Sequence, residues 1–275
     1  MPSPPDPVAI SIFGVDVRWY AIFILAGVVS GFALSRFIAA RVGLDPEWVL
    51  DIAPWIVFAS IAGGRIYYVL LRGPELLGRP LDAINIRGGG LSFHGGLVAG
   101  TLTLWWLCRR DGQSFFSWAD VAVPGAALAQ AIGRWGNWTN QEAFGTPTAL
   151  PWGLWIDPGH RPPGFEAFER FHPTFLYESI FNLVNALLLT WLALRVPHSQ
   201  RLRHGDVLAL YLIGYGVARF LIERVRTDSL YIGPLPAAFW LSGSLVVAGI
   251  AILAWNHRKP GDPVCYSPAE ETAGD

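Results

Sequence analysis

The sequence predicts an all-α polytopic membrane protein with about seven transmembrane helices and a small extracytoplasmic head between spans four and five. Of its 275 residues, 52% are apolar and only 15% are charged, whereas soluble domains carry about 25% charged residues. Seven apolar stretches also come near the roughly 20 residues that cross a bilayer. This composition excludes a disordered chain and disfavours an ordinary soluble enzyme.

The predicted spans follow one another in regular order. They cover residues 19–39, 48–71, 91–108, 118–133, 174–196, 206–225 and 237–255. Aromatic residues such as Trp19, Trp48 and Trp255 fall near predicted span ends, where amphipathic rings prefer the headgroup level. We therefore expect one transmembrane domain over residues 1–258, a head at about 134–173 and a polar cytoplasmic tail at 259–275. The Pro and Gly content of the head favours irregular loops.

Orientation is predicted from the basic residues that flank the spans. The positive-inside rule favours an extracytoplasmic N-terminus, which leaves these basic residues on the cytoplasmic side: Arg36, Arg41, Arg109, Arg110, Arg195, Arg201, Arg203, Arg258 and Lys259. The outer side then holds Arg18, Arg72, Arg79, Arg87, Arg161 and Arg170. The raw count is not decisive, but an anionic ligand on the outer side would explain this surplus.

Four segments place polar side chains inside or beside the apolar stretches, where a charge costs about 2.5–3.5 kcal/mol. They are GGLSFHGGL at 89–97, GRWGNWTNQEAFG at 133–145, HPTFLYESIFN at 172–182 and YGVARFLIERVR at 215–226. In the last segment, one helix face is predicted to carry Tyr215, Arg219, Glu223 and Arg226, at i, i+4, i+8 and i+11. With an outer N-terminus, we expect all four segments to converge in one outer-leaflet cavity.

Several of these residues also have a purely structural interpretation. His94 could be a neutral core histidine that forms hydrogen bonds between helices. Arg219 and Glu223, four residues apart, could form a structural ion pair. Arg134, at a predicted span end, could extend its side chain to the lipid headgroups. One such residue is weak support for a site, whereas four polar segments on one side favour a functional cavity.

The chemistry that these residues permit centres on an anion. Arginines in a cavity of low dielectric suit a phosphate, held by charge-assisted hydrogen bonds. The segments contain no carboxylate cluster for Mg²⁺, no G-x-S-x-G and no H-E-x-x-H, and the two cysteines of the chain cannot form a zinc site. The net charge of −1 gives no indication of nucleic-acid binding. The simplest interpretation is a protein that binds a phosphate-bearing lipid, which a second substrate attacks.

The segment GRWGNWTNQEAFG resembles the signature of the prolipoprotein diacylglyceryl transferases, bacterial membrane enzymes that begin lipoprotein maturation. GGLSFHGGL, HPTFLYES, the R-F-x-x-E-x-x-R run from Arg219 and the pair Trp19-Tyr20 resemble the other segments of the family. The similarity runs in order over about residues 18–255. Three positions depart from the family pattern: Trp138, Thr139 and Gln141.

The resemblance implies transfer of an sn-1,2-diacylglyceryl group from phosphatidylglycerol to the thiol of a lipobox cysteine in a prolipoprotein, with release of glycerol 1-phosphate. In the mechanism that we expect, His94 accepts the thiol proton while Arg134 and Arg219 hold the phosphate. The further residues implied in substrate binding are Tyr20, Asn137, Asn140, Glu142, Gly145, Glu178, Tyr215, Glu223 and Arg226.

Particular roles follow for some of these residues. Glu142 and Glu223 would orient the arginines, and Gly145 would permit a close backbone turn. The expected partners are phosphatidylglycerol, the prolipoprotein and membrane lipid, with no cofactor, no metal and no nucleic acid. The resemblance also implies the bacterial cytoplasmic (inner) membrane as the location, with the C-terminus in the cytoplasm.

Two other classes of function remain open from the residues. A transporter or lipid flippase would line a translocation path with the same charges. It predicts inverted repeats, and the two halves of the sequence show no convincing self-similarity. A transferase that acts on a polyprenyl phosphate would ordinarily need a metal-binding carboxylate cluster. An assay of diacylglyceryl transfer to a lipobox peptide distinguishes these classes.

Overall fold

The computed structural model describes residues 6–76 and 90–258. That part of the chain contains seven α-helices: α1 (Trp19–Val42), α2 (Pro46–Leu76), α3 (Phe93–Arg110), α4 (Phe115–Thr139), α5 (Thr174–Ala193), α6 (Asp206–Glu223) and α7 (Ala237–Asn256). Each predicted span coincides with one of these helices. The predicted tail at 259–275 lies outside the described residues, as do Arg79 and Arg87.

Five of the described helices are long and apolar enough to cross a membrane: α1, α2, α4, α5 with its continuation to His198, and α7. The other two described helices are not apolar enough over a comparable length. α3 has Arg109 and Arg110 in its last turn, and α6 includes Asp206, Arg219 and Glu223. The chain is therefore a helical multi-pass membrane protein, while the count of seven crossings stays a prediction.

Three small antiparallel hairpins accompany the helices in the described residues, and the sequence analysis predicted none of them. They pair β1 (Val8–Ile12) with β2 (Val15–Arg18), β3 (Leu154–Trp155) with β4 (Arg170–Phe171), and β5 (Tyr231–Ile232) with β6 (Leu235–Pro236). The first hairpin turns through Phe13 and Gly14, whose φ angles are 49° and 77°. Two positive φ angles are what a tight two-residue hairpin turn requires.

The helices fall into two compact units. Of the described residues, the first unit contains those up to Leu44 and those from Ala119 to Arg258, and the second contains those between Asp45 and Trp118. In the second unit, α2 and α3 meet at two glycines. A Cβ on Gly95 would lie 2.4 Å from the carbonyl oxygen of Gly63, so only a residue without a side chain permits this approach.

In the first unit, α1 runs antiparallel to α4. A Cβ on Gly31 would lie 2.8 Å from the carbonyl oxygen of Gly125, and the ring of Tyr20, at the start of α1, packs against Gly136 near the end of α4. The small residues let the two backbones approach closely. The start of α1 therefore lies beside the end of α4.

The start of α6 is fixed by a buried carboxylate. The backbone N–H groups of Gly205 and Leu208 donate to Asp120, near the start of α4, at 2.7 and 2.8 Å. The first backbone N–H groups of a helix have no acceptor within that helix, so the Asp120 carboxylate satisfies them. At the end of α7, the Asn256 amide donates to the carbonyl of His204 at 2.9 Å. One end of the first unit therefore joins the starts of α4 and α6 to the end of α7.

The opposite end of the first unit, which we call the Arg134 end, contains the start of α1, the end of α4, the start of α5 and the end of α6. The connection from α4 to α5 covers this end with a small substructure of its own. Its apolar cluster consists of Phe144, Leu154, Ile156, Phe171 and Phe175. Apart from β3, β4 and a short 3-10 helix at Pro158–His160, this connection is irregular, as its Pro and Gly content predicts.

Candidate functional site

Five charged side chains meet at the Arg134 end of the first unit. We call them the arginine–glutamate cluster: Arg134, Glu178, Arg219, Glu223 and Arg226. Glu178 is its centre, because its carboxylate pairs with Arg134 and lies 3.6 Å from Arg219 and 3.5 Å from Arg226. Glu223 adds an ion pair of 2.6 Å with Arg219 and a contact of 4.0 Å with Arg226. The structure thus joins side chains from three of the four polar segments.

Helix geometry explains most of this arrangement. α4 continues to Thr139, past its predicted end at residue 133, so Arg134 projects from a helix. Arg219 and Glu223 are one turn apart on α6 and pair as i, i+4 neighbours. α6 ends at Glu223. The predicted helical face therefore does not extend to Arg226, which reaches the cluster from the segment after the helix.

The cluster has a surplus of positive charge. Its three arginines and two glutamates leave one positive charge, and Glu178 and Glu223 are only 6% and 2% exposed. Asp228 lies outside this buried set: it is 49% exposed, and it accepts two hydrogen bonds from Arg226, at 2.9 and 2.6 Å, that balance part of the charge of this arginine toward solvent. Burial acts to lower the pKa of Arg226, but its carboxylate partners hold that pKa above the ordinary value, so it stays cationic. A buried surplus of positive charge favours an anionic ligand.

A group of hydrogen-bonded side chains extends the cluster toward solvent. Arg134 donates to Asn137 Oδ1 at 3.4 Å, and the amides of Asn137 and Asn140 donate to Glu142 Oε1 at 3.1 and 3.2 Å. We expected Glu142 to orient an arginine. In the described contacts it acts on Arg134 only through Asn137, and Glu178 holds the arginines directly instead.

Gly145 joins three segments of the first unit. Its N–H donates to the His172 carbonyl at 2.9 Å, and the N–H of Thr146 donates to the Val225 carbonyl at 2.6 Å. A Cβ at Gly145 would lie 2.6 Å from the Val225 carbonyl oxygen and 2.8 Å from His172 Cβ. Position 145 must therefore be glycine, because three backbone segments approach one another closely there. One of these segments leads into Arg226.

Gly145→Ala is expected to lower the thermal unfolding midpoint by several degrees, because the added methyl group must displace backbone and costs about 1–3 kcal/mol. Thermal unfolding of the detergent-solubilised protein measures this. Gly159→Ala is the matched control, since a Cβ there meets nothing within 4 Å. Equal midpoints for the two variants would contradict the argument.

Tyr20 and Tyr215, the two tyrosines predicted to bind substrate, also lie in the first unit, toward its Arg134 end. Tyr215, one turn before Arg219 on α6, lines a small cavity together with Arg219 and Glu178. Tyr20 packs against Gly136, half a turn beyond Arg134 on α4. Their role in substrate binding stays a prediction.

His94 belongs to the second unit, where it is the second residue of α3. Its side chain is exposed, and its ring meets that of Phe93 edge-on at 6.0 Å between centroids. An exposed side chain does not fit the alternative of a buried core histidine. The role of His94 as a general base stays a prediction.

The buried polar face of α5 extends beyond the polar segment predicted at 172–182. The face contains four buried residues: Thr174, Glu178, Asn182 and Asn185. Their spacings of four, four and three residues match one side of a helix. Polar residues at helical spacing in an otherwise apolar span were the signal that could have identified Glu178 as a central residue.

The fold and the site define a class of protein: helical multi-pass membrane proteins with a buried, positively charged cluster suited to an anionic ligand. The chain belongs to the prolipoprotein diacylglyceryl transferase family, whose family model matches residues 7–255. It is therefore a transferase, and the resemblance of its motifs to this family is confirmed.

Curated relatives match along almost the whole chain. A protein of Gloeobacter violaceus named phosphatidylglycerol–prolipoprotein diacylglyceryl transferase is 43% identical over 93% of this chain and 94% of its own length. Proteins of the same name from Trichormus variabilis and Finegoldia magna are 41% and 39% identical. They cover 97% and 92% of this chain, and 95% and 96% of their own lengths.

Proposed function

We propose that the protein transfers the sn-1,2-diacylglyceryl group of phosphatidylglycerol to the thiol of a lipobox cysteine in a prolipoprotein. The sulfur bonds to the sn-3 carbon of the diacylglyceryl group, and the bond from that carbon to the phosphate oxygen breaks. Glycerol 1-phosphate leaves with the electrons of that bond, the thiol loses its proton, and a thioether remains. The names of the relatives contain both substrates, and this reaction is the first step of lipoprotein maturation.

The positive surplus of the arginine–glutamate cluster is the observation that carries this proposal. The phosphodiester of the donor has one negative charge, which complements the surplus, and it gains further negative charge as the carbon–oxygen bond breaks. Arg134 and Arg219 are 24% and 18% exposed, so they are partly buried yet open to a ligand. Fixed guanidinium groups stabilise charge that develops during a reaction. We assign the phosphate to these two arginines.

The surrounding side chains position the arginines and the donor. Glu178 and Glu223 hold the guanidinium groups through ion pairs, so the arginines do not have to reorganise when charge develops. Asn137, next to Arg134, would donate to the headgroup. The outer part of the same site would be formed by Tyr20, Asn140, Glu142, Gly145 and Arg226, and Tyr215 would line its inner part.

We propose that all seven helices cross the bacterial inner membrane, with the N-terminus outside. In the first unit, the end opposite the cluster has arginines at the ends of three helices, and each guanidinium lies over an aromatic ring: Arg41 over Phe37 at 4.7 Å, Arg195 over Trp191 at 3.9 Å and Arg258 over Trp255 at 5.7 Å. Arginine and tryptophan at helix ends favour the headgroup level, and the positive-inside rule assigns that end to the cytoplasm. The cluster and the head would then face outward.

Purified protein, phosphatidylglycerol and a lipobox peptide test the proposed reaction. We expect the peptide mass to increase by one diacylglyceryl group, with one glycerol phosphate released for each adduct. The same peptide with serine in place of cysteine should give no adduct, because a hydroxyl is a much weaker nucleophile than a thiolate. A folded protein that gives neither product would contradict the proposal and favour a transporter.

His94→Gln is expected to slow transfer by roughly 10²–10⁴-fold and to change its pH dependence, because general-base catalysis typically contributes that much. The pH–rate profile of peptide lipidation measures this. His160→Gln, in the connection between α4 and α5, is the control and should leave the profile unchanged. A wild-type profile for His94→Gln would remove His94 as the base.

A further inference from the structure

A small cavity between α5 and α6 adjoins the arginine–glutamate cluster. Glu178, Arg219 and Tyr215 line the side of the cavity that meets the cluster, Asn182 supplies a further polar group, and Phe181 and Ile222 are apolar parts of its wall. The cavity therefore continues the phosphate site along α5, away from the connection that covers the cluster. It has room for about one water-sized group, which a single hydroxyl attached to a bound phosphate could occupy.

Asn182, which lines this cavity, has a hydrogen-bond acceptor that is unpaired within the described part of the chain. Its side chain is 97% buried, since its exposed fraction is 3%, and its Oδ1 has no hydrogen-bond partner among the residues that the structure describes. A buried polar atom without a partner destabilises the folded protein. Such an atom is rare in native proteins and calls for a functional or solvent partner.

Asn182 lies close to the proposed phosphate site along α5. It follows Glu178 by four residues on α5, so it lies about one helical turn, roughly 6 Å, farther along the same face. If the phosphate of a ligand contacts Arg219, the next part of the ligand can contact Asn182. That part lies one or two carbon atoms beyond the phosphate ester. Because Arg219 lines the same cavity and the cluster is positively charged, a neutral donor suits the site better than an ammonium group.

We propose that Asn182 Oδ1 accepts a hydrogen bond from a hydroxyl of the glycerol headgroup of the donor lipid, and that this bond selects a polyol headgroup. The inference rests on the proposed function, because it concerns the lipid whose phosphate the cluster holds. Asn182 is then a specificity residue. The arginines recognise the phosphate, which all phospholipids share, Asn137 donates to the headgroup as proposed above, and Asn182 accepts the headgroup hydroxyl that sets the preference.

Two donors and one substitution test this role. The donors are phosphatidylglycerol and phosphatidylpropanol, which has the same phosphate and acyl chains but no headgroup hydroxyl. Wild-type protein should prefer phosphatidylglycerol by roughly tenfold to a hundredfold, as expected for one buried hydrogen bond. Asn182→Leu should reduce transfer from phosphatidylglycerol to the level of phosphatidylpropanol. Transfer from phosphatidylpropanol should change by less than about threefold, which also shows that the variant is folded.

Asn185→Leu is the matched control. Asn185 is also buried on α5, with an exposed fraction of 7%, but it lies one turn farther from the cluster, at Gly214. Its variant should keep the wild-type ratio between the two donors. Asn182→Ala provides a second, smaller substitution in case leucine does not fit, and it should abolish the preference in the same way.

The outcomes are distinguishable. An equal loss with both donors in Asn182→Leu and Asn182→Ala would mean a structural or water-binding role and would overturn the inference. An unchanged preference in either folded variant would overturn it too, as would a wild-type protein that uses both donors equally. If the wild-type protein transfers nothing from either donor, the proposed function itself has failed.

Discussion

Replacing Arg219 by alanine is expected to lower the rate of diacylglyceryl transfer by roughly 10²–10³-fold. Arg219 contacts both glutamates of the cluster, at 3.6 Å from Glu178 and 2.6 Å from Glu223. Without it, the charge that collects on the leaving phosphate loses one of two proposed cationic partners. Because this charge grows only as the bond breaks, kcat should fall more than KM rises. Initial rates of peptide lipidation over a series of donor concentrations measure both constants.

Matched variants separate the loss of this contact from damage to the fold. Arg219→Lys keeps a positive charge but cannot form a bidentate pair, so we expect intermediate activity. Arg224→Ala removes an exposed arginine whose guanidinium lies 4.9 Å from the Phe220 ring centroid, and its rate should stay within about twofold of wild type. Arg134→Ala should behave like Arg219→Ala. If both folded alanine variants retain transfer, these arginines are not the phosphate site.

The helices were predictable because apolar length alone indicates them. A backbone in apolar surroundings must satisfy its own hydrogen bonds, and each of the seven apolar runs forms a helix. The end of α4 was not predictable in the same way. The predicted span stops at Gly133, whereas the helix runs to Thr139 and packs Gly136 against the ring of Tyr20. That contact joins residues far apart in the sequence, so local composition does not reveal it.

The residues of the cluster were predictable, but their pairing was not. The motif segments contain Arg134, Glu178 and Arg219, and helical spacing predicts the neighbouring ion pair with Glu223. Which carboxylate meets all three arginines depends on how α4, α5 and α6 pack, and a single sequence does not show this. The sequence therefore assigns the orienting role to Glu142, which lies close to Arg134 along the chain, and to Glu223, and it does not show that Glu178 contacts all three arginines.

Glu178→Gln is expected to destabilise the protein by about 3–5 kcal/mol, because it removes the carboxylate that three arginines share inside the protein. In the variant, Arg134 loses its ion pair with Glu178, and Arg219 and Arg226 depend on Glu223 and the exposed Asp228. The surplus of the cluster rises from one positive charge to two. Thermal unfolding in detergent should show a large decrease of the midpoint, and added phosphate should stabilise the variant more than wild type.

Two further variants decide whether charge balance is the cause. Glu178→Gln combined with Arg226→Gln restores the surplus of one positive charge, so it should recover part of the lost stability in a double-mutant cycle. Glu166→Gln changes an exposed carboxylate that accepts a hydrogen bond from the Gly164 N–H at 2.9 Å, and its midpoint should stay near that of wild type. If Glu178→Gln is as stable as Glu166→Gln, or if the double variant shows no coupling, then Glu178 does not hold the arginines together.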